Sequence, residues 1–278
     1  MSQDDSSDNS AQKASLSYRL PALDPDFLLG DSMRGTRFML EYAKAEELLR
    51  AWGIRSTIVV FGSARILPGG SDDPQAATAP LMPGQKPRSG ATSAHWYDEA
   101  RRFARIASEN GGALHPVDGV LDNVIATGGG PGIMEAANLG ASEVGAPSIG
   151  FNIRLPFEQE PNAYSTPDLT FQFHYFAMRK MHLAMRAAAL VVFPGGFGTM
   201  DELFEILTLR QTGKMPDIPI VLFGRTFWTR IVNFEAFAEE GVISPEDLDL
   251  FAFAETAEEA WECLVDRGLR RRSGPRDI

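Results

Sequence analysis

A single cysteine, Cys263, leaves this chain without a partner for an intramolecular disulfide. That excludes a disulfide-stapled secreted scaffold and fits a reducing compartment, so a cytoplasmic protein is expected. No apolar run approaches the roughly 20 residues needed to cross a bilayer. Positive charge is also scarce. Against 37 acidic side chains stand 26 basic ones, a net charge of −11. A basic face for nucleic acid or an anionic membrane is therefore not expected, and an anionic small molecule must be met by local charge. The histidines, His95, His115, His174 and His182, lack metal-ligand spacing such as H-E-x-x-H and read as structural or peripheral, with no metal expected.

The hydrophobic content of 44% is that of a globular protein with a sizeable core. Met1 to Lys13 is rich in Ser, Asp, Asn and Gln and lacks the apolar centre of a signal peptide. Residues 1–32 are expected to be a disordered or extended tail. Phe38, Met39, Tyr42, Ala45, Leu48, Leu49 and Trp52 recur at helical spacing. Next come apolar runs that read as buried parallel strands: Ile58–Phe61, Val124–Thr127, Ser148–Ile153, Leu169–Phe173, the run through Leu190, Ile218–Phe223 and Phe251–Phe253. Helical patterns separate them at His95–Asn110, Ile133–Ser142, Phe176–Ala187, Met200–Thr212, Trp228–Ala238 and Ala257–Arg267. Such alternation predicts an α/β fold, a Rossmann-like doubly wound parallel sheet in one domain over 33–268. The stretch 67–94, punctuated by glycine and proline, reads as a long insertion. Residues 269–278, with Arg270, Arg271 and Arg272, read as a basic tail.

Ligands on such sheets bind beyond the carboxyl ends of the strands. Three strand-to-turn junctions fall there, at Ser63, Gly130 and Gly196. The most telling is Pro194-Gly195-Gly196-Phe197-Gly198-Thr199-Met200-Asp201-Glu202, between an apolar strand and a helix. Glycines allow close backbone approach, and free N–H groups at a helix start hold an anion such as a nucleotide phosphate. The T-x-x-E spacing of Thr199 and Glu202 also permits a plain capping box in the first turn, with no ligand at all. Arg179-Lys180, just upstream, offers positive charge to a phosphate, or simply a solvated helix face. Gly128-Gly129-Gly130-Pro131-Gly132 does not have the G-x-G-x-x-G spacing of a dinucleotide site, and no Gly-Lys-Ser/Thr follows it. Dinucleotide binding and ATP hydrolysis are therefore not expected. A tight strand-to-helix turn remains the alternative for these glycines, and Pro131 is expected near the helix's first turn.

The ordered set Gly129-Gly130-Pro131-Gly132-Ile133-Met134-Glu135-Ala136-Ala137-Asn138, then Met178-Arg179-Lys180, then the segment Pro194–Glu202 resembles the signature of the LONELY GUY (LOG) phosphoribohydrolases, in a form similar to the longer bacterial branch. The resemblance runs from about Ile58 to Ala238 and implies cleavage of the N-glycosidic bond of a nucleoside 5′-monophosphate, such as AMP or a cytokinin riboside monophosphate, without a cofactor. It implies Arg179 and Glu202 as the catalytic pair. Gly195, Gly196, Gly198 and Thr199 would hold the phosphate, with Lys180 nearby. Ser63, Gly129, Gly130 and Gly132 would line the nucleotide pocket, with Glu158 as a further substrate contact. A homo-oligomer, dimer or higher, is also implied.

Proteins of this family have often been labelled lysine decarboxylases. Pyridoxal phosphate chemistry needs a Schiff-base lysine, and of Lys13, Lys44, Lys86, Lys180 and Lys214 only Lys180 falls near the expected site. The alternative to the enzyme is a non-catalytic nucleotide- or cofactor-binding carrier on the same fold. A carboxylate at Glu202 favours the enzyme, because a pure binder has no use for negative charge beside a phosphate.

Overall fold

The computed structural model describes residues 8–69, 91–155 and 160–270. Most of the expected insertion, Glu158, and the arginines Arg271 and Arg272 lie outside the described residues. The chain divides into two compact units, Met1–Lys44 and Ala45–Ile278. Over residues 8–33 the first unit is a succession of short helical turns, including α1 (Ser10–Ala14) and α2 (Pro25–Leu29), none with a buried side chain. Asp24 caps α2 by accepting from the Phe27 N–H at 3.3 Å. Helix α3 (Arg34–Ala51) follows and runs into the second unit.

The second unit is built on a seven-stranded, all-parallel sheet in the order β4-β3-β2-β1-β5-β6-β7. In chain order the elements are β1 (Thr57–Phe61), α4 (Ala91–Gly111), β2 (Val124–Thr127), α5 (Ile133–Glu143), β3 (Ser148–Ile153), β4 (Thr170–Phe173), α6 (Phe176–Met185), β5 (Ala187–Val192), α7 (Phe197–Gln211), β6 (Ile220–Phe223), α8 (Arg225–Ile231), α9 (Phe234–Glu239), β7 (Ala252–Ala254) and α10 (Ala257–Asp266). The apolar runs are strands because every residue of β1, β2, β3, β5 and β6 is buried. A strand covered on both faces has no polar side to alternate with.

The sheet grows from β1 through β4 in one direction, then restarts on the other side of β1 with β5. Crossovers are right-handed, so reversing the direction of growth moves the connecting helices to the opposite face. Accordingly α4 and α5 pack together, with α10 against α4. On the other face Glu202 and Ile206 of α7 border Val59, Phe61 and Leu190. The gap between the ends of β1 and β5 is the topological switch point, where ligands bind in this architecture.

Several expected boundaries move. Helix α4 begins at Ala91, inside the span expected as insertion, and Leu67 at the other end of that span is buried. The helix expected from Trp228 to Ala238 is two helices, broken at Val232 and Asn233, where the Asn233 side chain accepts from the Ala236 N–H at 3.2 Å and starts α9. Leu269, expected in the basic tail, is buried against the core, its N–H donating to the Leu264 carbonyl at 2.8 Å. An apolar side chain with a place to go extends the folded unit past the last periodic residue.

The lower edge of the sheet is pinned by buried ions. Arg186 donates to both Glu46 carboxylate oxygens at 2.8 Å, and Arg50 to one of them at 2.5 Å. Burial opposes ionisation of Glu46, but these hydrogen bonds and charges outweigh it and hold the carboxyl at about 2. Beside them Arg55 makes a two-pronged contact with Asp122, one prong at 2.8 Å.

Candidate active site

The glycine turn after β5 starts α7 earlier than its sequence pattern suggests. The helix begins at Phe197, with Gly196 at the cap position and no side chain capping it. Thr199 is thus the third helical residue and Glu202 the sixth, in the second turn. The capping-box alternative is thereby removed, because a box needs Thr199 at the cap itself. Pro131 likewise lies one residue before the cap of α5, which is Gly132.

Glu202 instead points back toward the sheet. It is 3% exposed, and its Oε1 accepts from Arg179 Nη2 of α6 at 2.6 Å. Burial pushes the Glu202 carboxyl above its ordinary value, and the neighbouring Arg179 and Lys180 charges only partly offset this. Arg179 is itself mostly buried, its guanidinium 5.2 Å from the centre of the Phe176 ring. Its Nε makes no hydrogen bond to the protein. A buried carboxylate and a guanidinium with a spare donor thus stand together near the switch point.

Lys180 is placed differently from its neighbour. Its ammonium lies 2.8 Å from Asp201 and 3.0 Å from Glu205, both on α7. It fastens α6 to α7 and borders an outward groove of about 540 Å³ with Phe197, Met200 and Phe204. Two carboxylates already occupy the positive charge that a phosphate site was expected to draw on.

The glycines of the turn divide by what surrounds them. A Cβ on Gly195 would fall 2.1 Å from Thr199 Oγ1, so the protein's own packing requires that glycine. Gly196 and Gly198 have nothing within 4 Å of such a Cβ, and neither has a positive φ. Internal sterics therefore give no reason for glycine at either position. Open space beside the free N–H groups of a helix start is the setting in which a ligand accounts for it.

The other two junctions meet this one. The Ser63 N–H donates to the Pro194 carbonyl at 3.0 Å, and the Ile133 N–H to the Ser63 carbonyl at 3.2 Å. Gly132, at φ +71, lies so close to Ser63 and Ala64 that a Cβ would sit 2.4 Å from the Ser63 carbonyl. Ser63, Gly132 and Pro194-Gly195 therefore share one edge. Gly129 and Gly130 belong to the same turn but are tied to a buried polar network. It comprises Thr127, Asn138, Asn152 and Asn162, with Thr127 accepting from the Gly129 N–H at 2.9 Å and Asn162 donating to the Gly130 carbonyl at 3.0 Å. Sequence reasoning missed this network. Asn162 lies in a polar stretch between β3 and β4, and no local pattern tells which turn such a stretch will reach.

His182 is 1% exposed and packs against Phe151 and Phe173, with ring centroids 6.2 and 5.5 Å away. His174 stands edge-on to Tyr175. Cys263 is part of the apolar packing on α10, where burial pushes its thiol pKa up. Among the described residues no cluster of His, Cys, Asp and Glu could hold a metal ion, and no helix is long and apolar enough to cross a membrane.

Parallel topology, glycine turns at the switch point and a buried Arg–Glu pair define a doubly wound α/β protein with a candidate site at the carboxyl edge of its sheet. The sequence profile of the family described as "Possible lysine decarboxylase" matches residues 134–264. The chain is 35% identical over 83 residues to cytokinin riboside 5′-monophosphate phosphoribohydrolase LOG3 of Arabidopsis thaliana, covering 29% of this chain and 38% of that protein. To the probable phosphoribohydrolase LOG6 of the same plant it is 26% identical over 177 residues, covering 58% of this chain and 87% of the relative. The matched segment spans about two fifths of the length of the first curated relatives, 38% and 42%. Among solved structures, a molybdenum cofactor binding protein from Rippkaea orientalis aligns with 76% of this chain and 96% of its own, at a TM-score of 0.47 and 15% identity. Over these segments the chain is similar to proteins of the LOG family, as its motifs implied.

Proposed function

We propose that this protein hydrolyses the N-glycosidic bond of a purine nucleoside 5′-monophosphate, such as AMP or a cytokinin riboside monophosphate. The observation that carries the reading is the buried pair of Glu202 and Arg179, 2.6 Å apart, beside a glycine turn with open space at Gly196 and Gly198. The names of the LOG relatives supply the substrate class.

The chemistry suits these groups. The bond from ribose C1′ to the base nitrogen breaks, and one from C1′ to a water oxygen forms. The proton lost by water ends on the departing base, so the products are ribose 5-phosphate and free base. As the base leaves, C1′ acquires oxocarbenium character, and the Glu202 carboxylate stabilises that positive charge and orients the water. Arg179 donates to the substrate through its spare N–H groups and supports the leaving base as negative charge grows. The N–H groups at Gly195–Gly198 and the positive end of α7 hold the phosphate. Ser63 and the turn at Gly129–Gly132 line the nucleotide's other side. Lys180, held by Asp201 and Glu205, acts on Glu202 through its charge. Nothing in this chemistry calls on a metal or an organic cofactor.

The test is incubation of the purified protein with AMP and with isopentenyladenosine monophosphate, followed by chromatography for free base and ribose 5-phosphate. Base release by the wild type, lost in Glu202→Gln with nucleotide affinity kept within about tenfold, is the expected result for a group acting on transition-state charge. Turnover that persists in Glu202→Gln refutes the assignment. Nucleotide binding without release from any purine or pyrimidine monophosphate favours the carrier alternative.

A further inference from the structure

We infer that Asn162 is a positioning residue for the nucleotide, holding the peptides on both sides of Gly130, its backbone N–H on the Gly129 carbonyl and its side chain on the Gly130 carbonyl; the substrate half of this inference rests on the function proposed above. Asn162 is 4% exposed, and its side chain uses its full hydrogen-bonding capacity. The amide nitrogen donates to the Gly130 carbonyl and to Asn138 Oδ1, each at 3.0 Å. The amide oxygen accepts from the N–H groups of Tyr164 at 3.1 Å and Ser165 at 3.3 Å. The backbone N–H of Asn162 donates to the Gly129 carbonyl at 2.9 Å, which also accepts from Asn152 Nδ2 at 3.2 Å. Two donors and two acceptors saturate an amide side chain, and two donors saturate the Gly129 carbonyl.

The consequence lies on the other side of the peptide. Every peptide bond among the described residues is trans, so a carbonyl and the N–H that follows it point in opposite directions. Asn152 belongs to β3, on one side of β2, and draws the Gly129 carbonyl that way. The Gly130 N–H is therefore aimed away from β3, toward the β1 side of the edge where Ser63 lies. Gly130 is buried, and among the described residues no acceptor faces its N–H. A buried donor left unpaired is costly unless a ligand or water meets it. Glycine at 129 is what allows the arrangement. Its φ is +68, and a Cβ would sit 2.0 Å from Asn152 Oδ1. Asn162 thus holds a donor toward the nucleotide without touching it, and fastens the loop through Ser165 to the same turn.

The test uses Asn162→Asp, which keeps both acceptor contacts but replaces the two donors with charge facing the Gly130 carbonyl. Asn152→Ala is the second variant; it removes one of the two donors to Gly129 and leaves the 160–165 loop intact. With AMP as substrate, KM is expected to rise at least tenfold in Asn162→Asp and at least threefold in Asn152→Ala, with kcat within threefold of wild type. A merely structural role would lower thermal stability without this split. Hydrogen exchange at the Asn162 amide, which is bonded to the Gly129 carbonyl at 2.9 Å, measured on the unliganded protein, is expected to quicken at least tenfold in Asn162→Asp. If Asn162→Asp fails to fold, Asn152→Ala carries both measurements. Folded variants with wild-type KM, or with unchanged exchange at the Asn162 amide, overturn the inference. A wild type that hydrolyses no nucleotide refutes the proposed function instead, and the exchange measurement then decides the clamp alone.

Discussion

Replacing Gly198 with alanine separates what the glycine turn does for the fold from what it does for a ligand. Gly198 is the second residue of α7, exposed, outside the left-handed region, and with no atom within 4 Å of an added Cβ. The protein's own packing therefore accommodates the methyl group without strain. Alanine in place of a strain-free helical glycine gains about 0.5–1 kcal/mol, through backbone entropy lost from the unfolded chain. At roughly 2–4 °C per kcal/mol for a unit of this size, Tm should rise by about 1–4 °C. The same methyl would stand where the proposed function has a phosphate oxygen approach the N–H groups of the turn. AMP affinity, followed by calorimetric titration, should fall more than tenfold, so that a more stable protein binds less well. Gly195→Ala is the control. Its Cβ would collide with Thr199 Oγ1 at 2.1 Å, so it should lose stability and affinity together. A Gly198→Ala protein with raised Tm and wild-type affinity would show that the phosphate binds elsewhere.

Other outcomes follow from the charges. The proposed chemistry uses ionised Glu202, whose carboxyl is raised by burial, so the acid limb of kcat should fall at a higher pH than an ordinary carboxylate gives. Lys180→Met removes a charge that holds Glu202 down and should move that limb further up, with KM for AMP changed less than threefold; a large rise in KM would return Lys180 to the phosphate. A raised folded-state value also means that protonating Glu202 favours the folded protein. Glu202 should therefore add stability as pH falls from that raised value through the ordinary 4.5, and Glu202→Gln should flatten that part of the stability curve measured in urea. Glu46 works in the opposite sense. Held at about 2 against an ordinary 4.5, it contributes roughly 3 kcal/mol at 1.36 kcal/mol per pH unit. That contribution is present above pH 4.5 and lost as pH falls toward 2. Glu46→Ala, which leaves Arg186 buried without its partner, should cost about 3–5 kcal/mol by urea unfolding at neutral pH; a loss under 1 kcal/mol would mean the pair is not buried in solution.

The parts of this protein that the sequence by itself determined are those set by neighbours in the chain. Strands β2 and β3 begin and end at the expected residues because a strand buried on both faces is a continuous apolar run, and such a run is local. The glycine turn at Pro194–Gly198 was legible for the same reason, since a strand, a turn and a helix follow one another without interruption. Tertiary structure alone decided where the polar side chains went. Whether Glu202 caps its own helix or meets Arg179, 23 residues earlier, depends on how α6 and α7 pack. The choice of Lys180 for Asp201 and Glu205 has the same origin. Asn162 and Gly129, and Glu46 and Arg186, are each brought together by sheet order, across 33 residues in one case and 140 in the other. Apolar burial is non-directional and leaves a periodic trace along the chain, whereas a hydrogen bond needs one partner at one distance, and only the folded backbone supplies both.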